Sequence, residues 1–219
     1  MRAGRSCTVE PAVDPPKEIY GHKVYLLALI SSMGSFMFGY DLSFIGTVIE
    51  LDSFQKDFGI IQASKSEKAQ FASTIVSLLQ AGCIVGSLAA GPLSDAWGRR
   101  AVLLITSLFF TLGSTLQTAS HGSRAIMFAG RVMGGVGVGA ASMVVPLYVA
   151  EASPPRIRGR LVGIYEILAT TGTMLGFWIN YGLNKTMPST STQWIISFAV
   201  QLIPSSLLLI GLVFLPESP

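Results

Sequence analysis

Six stretches of this chain, at 24–49, 71–91, 101–118, 125–149, 161–183 and 194–215, are predominantly apolar over roughly 20 residues each. That is the length a helix needs to cross ~30 Å of hydrocarbon. Backbone groups in lipid must bond within their own segment or around a closed barrel. None of the stretches alternates apolar and polar residues in the ~10-residue units of a barrel. The expectation is an all-α membrane protein whose six transmembrane helices form one bundle over residues 24–219. Its Gly- and Pro-containing stretches stay helical, with kinks expected at Pro146 and Pro204. Only 12% of residues are charged, against roughly a quarter in a soluble domain.

The basic residues predict the orientation. With a cytosolic N-terminus, Arg99, Arg100, Arg156, Arg158 and Arg160 fall in short inner loops, while Lys56, Lys65, Lys68, Arg124 and Lys185 lie outside. An even number of spans returns the C-terminus to the cytosol. The sequon Asn184-Lys185-Thr186 then falls in an outer loop. A pI near 9.0 is thereby assigned to topology and anionic inner-leaflet lipid rather than to nucleic acid. Residues 1–23 are polar, carry Pro11, Pro15 and Pro16, and read as a disordered cytosolic tail without a cleaved signal. Cys7 and Cys83 are too far apart in kind and place to suggest a disulfide framework or a metal site, and no cofactor is implied.

Three charges fall inside the apolar stretches. Asp41 and Arg131 would each cost ~2.5–3.5 kcal/mol at a helix centre, unless they snorkel to water at a helix end. Asp41 lies eight residues before Ile49 in an outward-running helix, so ~12 Å below the outer boundary at ~1.5 Å per residue. Arg131, seven residues after Arg124 in an inward-running helix, lies ~10 Å below the same boundary. An acid and a base at one depth can pair, and paired intramembrane charges mark proton or ion pathways. Glu166 either faces a pocket or, with Arg160 nearby, reaches cytosolic water.

Around Arg131 stand Gly130, Gly134, Gly135, Gly137 and Gly139. The run from Gly135 to Ala140 fits G-x-G-x-x-A but lacks the strand before and the helix after that a dinucleotide fingerprint requires. The spacings Gly130 to Gly134 and Gly135 to Gly139 are those of close helix contact, serving either a moving seam or static packing.

The run Gly91-Pro92-Leu93-Ser94-Asp95-Ala96-Trp97-Gly98-Arg99-Arg100 resembles the loop between the second and third helices of the major facilitator superfamily. Phe38-Gly39-Tyr40-Asp41, Gly130-Arg131, Glu151 with Arg158-Gly159, and Pro216-Glu217-Ser218-Pro219 resemble its sugar porter family. The stretches 158–166, 176–182, 191–194 and 199–204 look most like fungal quinate permeases. The resemblance implies a twelve-helix carrier with substrate bound between two six-helix halves, of which this chain supplies the first, as a fragment or a truncated product. It further implies Asp41 as the proton-coupling acid and Arg131 as its modulator. Phe38 and Glu166 match substrate-pocket positions, and Asp95, Arg99, Arg100, Glu151 and Arg158 a cytosolic ion-pair gate. Most sugar porters carry Gln at the Glu166 position; an ionised Glu only accepts hydrogen bonds, which suits hydroxyls and repels a carboxylate.

The leading expectation is proton-coupled symport of a monosaccharide or a sugar-like hydroxy acid such as quinate, in the plasma membrane. Its partners would be membrane lipid, the solute, protons and a C-terminal six-helix half. A non-transporting nutrient sensor and an inactive half-carrier are the alternatives. A membrane-embedded enzyme lacks a visible nucleophile and base, since His22 and His121 lie near loop ends. For the inner-loop charges, the alternative to a gate is topology alone.

Overall fold

A computed structural model describes residues 22–153 and 155–214. The tail expected at 1–23 lies outside them up to residue 21, as does the 216–219 motif. The described residues form nine helices: α1 (His22–Ser31), α2 (Met33–Ile49), α3 (Asp52–Asp57), α4 (Lys65–Trp97), α5 (Arg99–Thr118), α6 (Arg124–Ala152), α7 (Arg158–Thr186), α8 (Ser191–Ala199) and α9 (Leu202–Phe214). They make six membrane-length spans, because α1 with α2 and α8 with α9 each form one.

Three details differ from the sequence expectation, the first being that the second span, expected at 71–91, runs from Lys65 to Trp97. The sixth span breaks at Val200 and Gln201, not at Pro204. The proline is still the cause, because a proline ring in a helix clashes with the carbonyl four residues earlier, here that of Val200. Pro204 itself sits in the first turn of α9, where a missing N–H is tolerated. Through Pro146, α6 stays helical, as expected of a membrane span. The sequon also moves: Asn184 lies in the last turn of α7, which extends to Thr186, rather than in a loop.

At α6, the two glycine spacings serve two different neighbours. Gly135 and Gly139 press on the backbone of α4 at Leu79, Gly82 and Cys83. Gly130 and Gly134 lie against Gln117 and Gly113 of α5, and a Cβ on Gly113 would come within 2.5 Å of the Gly134 nitrogen. From α4, a Cβ on Gly82 would meet the Val132 carbonyl oxygen at 2.5 Å. A second seam joins α2 to α7, where Gly39 abuts the Ala169 carbonyl and a Cβ on Gly176 would lie 3.0 Å from that of Tyr40. Small residues of this kind let membrane helices approach backbone to backbone, gaining dispersion contacts that lipid cannot supply.

The spans are unequally covered. The most apolar window of α6 is 61% buried and that of α7 only 11%, so α6 is the core helix and α7 presents a face. Met174, Phe177, Trp178 and Tyr181 are exposed along it.

At one end of the bundle, Gly98 joins α4 to α5 with φ 85° and ψ 152°, a region essentially reserved for glycine. Arg99, Arg100, Arg156, Arg158 and Arg160 gather at this basic end. At the opposite end, α3 caps the bundle through Phe54 and Phe58, packed with Phe71 and Trp194. The Trp194 indole donates to Asp57 Oδ2 at 2.7 Å, and Arg124 donates to the Phe58 carbonyl at 2.9 Å.

The seams predict a contrast between two glycines. Gly135→Val must force the Leu79 backbone away, and overpacking of this kind costs ~1–3 kcal/mol. A Cβ at Gly163 would meet nothing within 4 Å, so Gly163→Val is expected to keep the parent melting temperature in detergent while Gly135→Val melts lower. Equal melting of the two variants would show that α6 does not depend on its small residues.

Candidate functional site

Two apolar clusters fill the bundle. One includes Met37, Phe110, Val138 and Leu208 toward the basic end, the other Phe44, Met127, Trp194 and Phe198 toward the α3 end. Between them lies a polar layer with one residue from each of four spans: Asp41 of α2, Ser114 of α5, Arg131 of α6 and Gln201 at the α8–α9 break. All four are at most 1% exposed, so neither charge snorkels to a helix end.

The structure brings Asp41 and Arg131 together. Arg131 Nη1 donates to Asp41 Oδ1 at 3.0 Å and to Oδ2 at 3.2 Å. Gln201 Nε2 donates to the same Oδ1 at 2.9 Å, and Ser114 Oγ donates to Gln201 Oε1 at 3.0 Å. The chain of donors runs from hydroxyl to amide to carboxylate, and each group gives what the next accepts. The guanidinium is held between aromatic faces, its Cζ 5.4 Å from the ring centres of both Phe44 and Phe198. Such faces attract a desolvated cation electrostatically. One turn above Asp41, Phe44 is therefore both core and cation cradle.

Beside this layer, Tyr40 donates to the Ser197 carbonyl at 3.0 Å and Ser197 to Asn180 Oδ1 at 2.6 Å. These bonds fix α2 against α8 and α7, and thereby the position of Asp41.

Phe38 and Glu166 lie on facing stretches of α2 and α7. The registration is set by Ser35 Oγ donating to the Tyr165 carbonyl at 2.7 Å and by Gly39 against Ala169. Phe38 is half-buried and packs on the basic-end cluster, whereas Glu166 is exposed. They share a seam, one turned to the core and the other to the surface.

At the basic end the expected cluster is only partly assembled. Arg99 Nη2 donates to Glu151 Oε1 at 3.0 Å, its Nε lies 2.9 Å from Oε2, and Asp95 is 3.8 Å away. Arg100 turns elsewhere. Its Nε and Nη2 donate to the Leu212 and Val213 carbonyls at 2.9 and 2.8 Å, where the last turn of α9 has acceptors without helical partners. Arg158 is exposed at the start of α7 and makes no ion pair among the described residues. The cluster is thus Asp95, Arg99 and Glu151.

Gln201, Ser114, Phe44 and Phe198 were not singled out as site residues by sequence reasoning. Gln201 carried a readable signal, a lone amide in an apolar span four residues after Ser197. Ser114 carried none, because serines in membrane helices commonly bond their own helix.

The fold and its buried pair define a class, the six-span bundle of a secondary transporter. The sugar (and other) transporter family matches residues 27–219. A protein of Aspergillus fumigatus named "Probable quinate permease" is 50% identical over 206 residues, which is 93% of this chain and 38% of the relative. A counterpart in Aspergillus flavus is 49% identical over the same shares. Among solved structures, a partially occluded, inward-open form of the xylose transporter XylE of E. coli superposes with a TM-score of 0.82 at 28% identity, over 91% of this chain and 50% of that one. The chain belongs to the sugar (and other) transporter family, as a sugar porter of the major facilitator superfamily and not an enzyme. It spans well under half the length of the curated permeases it matches.

Removing one partner of a buried ion pair strands the other, at ~3–5 kcal/mol. Arg131→Met should therefore lower the melting temperature steeply, and the double change Asp41→Asn with Arg131→Met should restore much of it. If the double variant melts no higher than Arg131→Met alone, the loss comes from packing around the guanidinium and not from the stranded carboxylate.

Proposed function

We propose that this chain forms the N-terminal half of a twelve-span carrier that couples entry of a monosaccharide or a sugar-like hydroxy acid such as quinate to entry of protons. The observation that carries the reading is the carboxylate of Asp41, held at membrane depth by Arg131 and Gln201. A carboxylate there is stable when its charge is balanced, and equally when a proton removes that charge. Protonation of Asp41 releases Arg131, and the two states of the pair bias the carrier between outward and inward access. Relatives named as quinate permeases and a neighbour described as a proton:xylose symporter support both the solute class and the coupling ion. Coverage of half or less of these proteins supports the two-half architecture.

Phe38 and Glu166 contribute to the solute site on the α2–α7 face. An ionised Glu166 accepts hydrogen bonds from ring hydroxyls, and the carboxylate of a hydroxy acid binds away from it. The basic end is cytosolic, because five arginines of the short connections gather there. Both termini then lie in the cytosol, in a plasma-membrane protein. At that end Asp95, Arg99 and Glu151 latch α4, α5 and α6 together in the outward-open state.

In proteoliposomes holding the full-length gene product, Asp41→Asn is expected to abolish uphill, pH-driven uptake of labelled solute while leaving counterflow exchange measurable. Asn keeps the shape of the side chain and carries no titratable proton. Accumulation against a gradient by Asp41→Asn would refute Asp41 as the proton acceptor.

Opening the latch has a separate signature. Glu151→Gln should slow cycling and make a cysteine placed at Arg158 more reactive toward an impermeant thiol reagent applied from the cytosolic side. Unchanged transport leaves Arg99 and Glu151 as topology markers, and labelling of that cysteine from outside overturns the orientation.

A further inference from the structure

Asp41 is 1% exposed and Arg131 is wholly buried, so a proton that reaches this carboxylate needs a route through the protein. Buried polar atoms in folded proteins nearly always have a partner, in protein or in ordered water. Among the described residues, only a few buried side-chain atoms have none in the protein. Four of them are Arg131 Nε and Nη2, Gln117 Oε1 and Ser120 Oγ, and Gln117 packs against Gly130, the neighbour of Arg131.

Their placement is directional. Ser114 and Gln117, three residues apart, are neighbours on α5, and Ser120 stands in the turn just beyond the helix end at Thr118. At ~1.5 Å per residue the row climbs ~9 Å, most of the ~12 Å depth reckoned for Asp41 from its distance to Ile49. At the bottom, Ser114 donates to Gln201, which donates to Asp41. In the middle, Gln117 Nε2 donates to the Gly130 carbonyl at 3.0 Å, beside Arg131, and leaves Oε1 directed elsewhere. At the top, Ser120 precedes His121, which lines an open cavity of about 150 Å³ with Asp57, Ser191 and Trp194.

We propose that ordered water lies at the α3 end of the α5–α6 seam, beside Gln117 and Ser120 and beyond the close contact of Gly113 with Gly134, and that protons reach Asp41 from the α3 end along it. This proton route is separate from the α2–α7 face that meets the solute. The inference rests on the proton-coupled reading given above. Ser120 both donates and accepts, and so relays a proton between waters. Gln117 Oε1 and the two guanidinium N–H groups orient the waters below it. One proton enters the top of the row, each water passes on another, and the last converts the Asp41 carboxylate to the neutral acid while Arg131 keeps its own. The charged and titratable groups facing the route are Asp41 and Arg131 at its foot and Asp57, His121 and Arg124 at its mouth. Asp57 is held by the Trp194 indole, and Arg124 by the Phe58 carbonyl and the face of Phe71.

Two measurements test this. In proteoliposomes of the full-length gene product, solute-triggered proton uptake followed by a trapped pH dye is expected to slow roughly tenfold in Ser120→Val and in Gln117→Leu. That is the rate effect of one lost hydrogen bond of ~1.4 kcal/mol; counterflow exchange should stay at the parent rate. Proton uptake at the parent rate in both variants overturns the route even where Asp41→Asn has abolished coupling; persistent coupling in Asp41→Asn instead sinks the proton-acceptor reading. The second measurement needs no transport. In a background with Cys7→Ser and Cys83→Ala, cysteines placed at Ser120, Gln117 and Phe110 are exposed to silver ion on the α3 side of reconstituted chain. Reaction at 120 and 117 but not at 110, which sits in the apolar cluster below the row, is expected; silence at both 120 and 117 overturns the hydrated seam.

Discussion

Everything in this bundle is arranged around one ion pair that is closed to bulk solvent. Asp41 and Arg131 sit between two apolar clusters, in surroundings where stranding either charge is costly. The supporting parts each answer one side of that problem. Gln201 gives the carboxylate a second donor, and Phe44 and Phe198 give the guanidinium two π faces. The break that places Gln201 arises in turn from a proline four residues after Val200. A single covalent feature of the sixth span thus reaches the charge state of the first.

Much of this was legible from residue order. Apolar length alone placed five of the six spans to within three residues, because hydrocarbon thickness admits few other solutions, while the second, expected at 71–91, runs from Lys65 to Trp97. Depth arithmetic put Asp41 and Arg131 at one level, since a helix rises by a fixed amount per residue. Rotation about the helix axis is a different matter. Which face Gln201 or Ser114 presents depends on the packing of four spans at once, and no periodicity in one span reports it. The same limit explains Arg100: the family resemblance placed it in an ion-pair gate, whereas its partners are the carbonyls at the end of α9, 112 and 113 residues away.

The glycines show the same divide. Their spacing announced close contact, but not that the two registers on α6 address two different helices. Gly130 and Gly134 differ from Gly135 and Gly139 by a rotation that only the assembled bundle defines. Gly98 is simpler, because its backbone angles leave no other residue a comfortable choice, and the loop motif carries that glycine for a local reason.

The two glycine seams also divide the bundle mechanically. With α6 fused to α4 on one side and to α5 on the other through backbone contact, these three helices form a stiff block. The α2–α7 seam makes a second, slimmer block, and Asp41 belongs to it while Arg131 belongs to the first. The ion pair is therefore a tie-rod across the joint between two rigid pieces, placed where a small angular change is geared into the largest displacement at the bundle's ends.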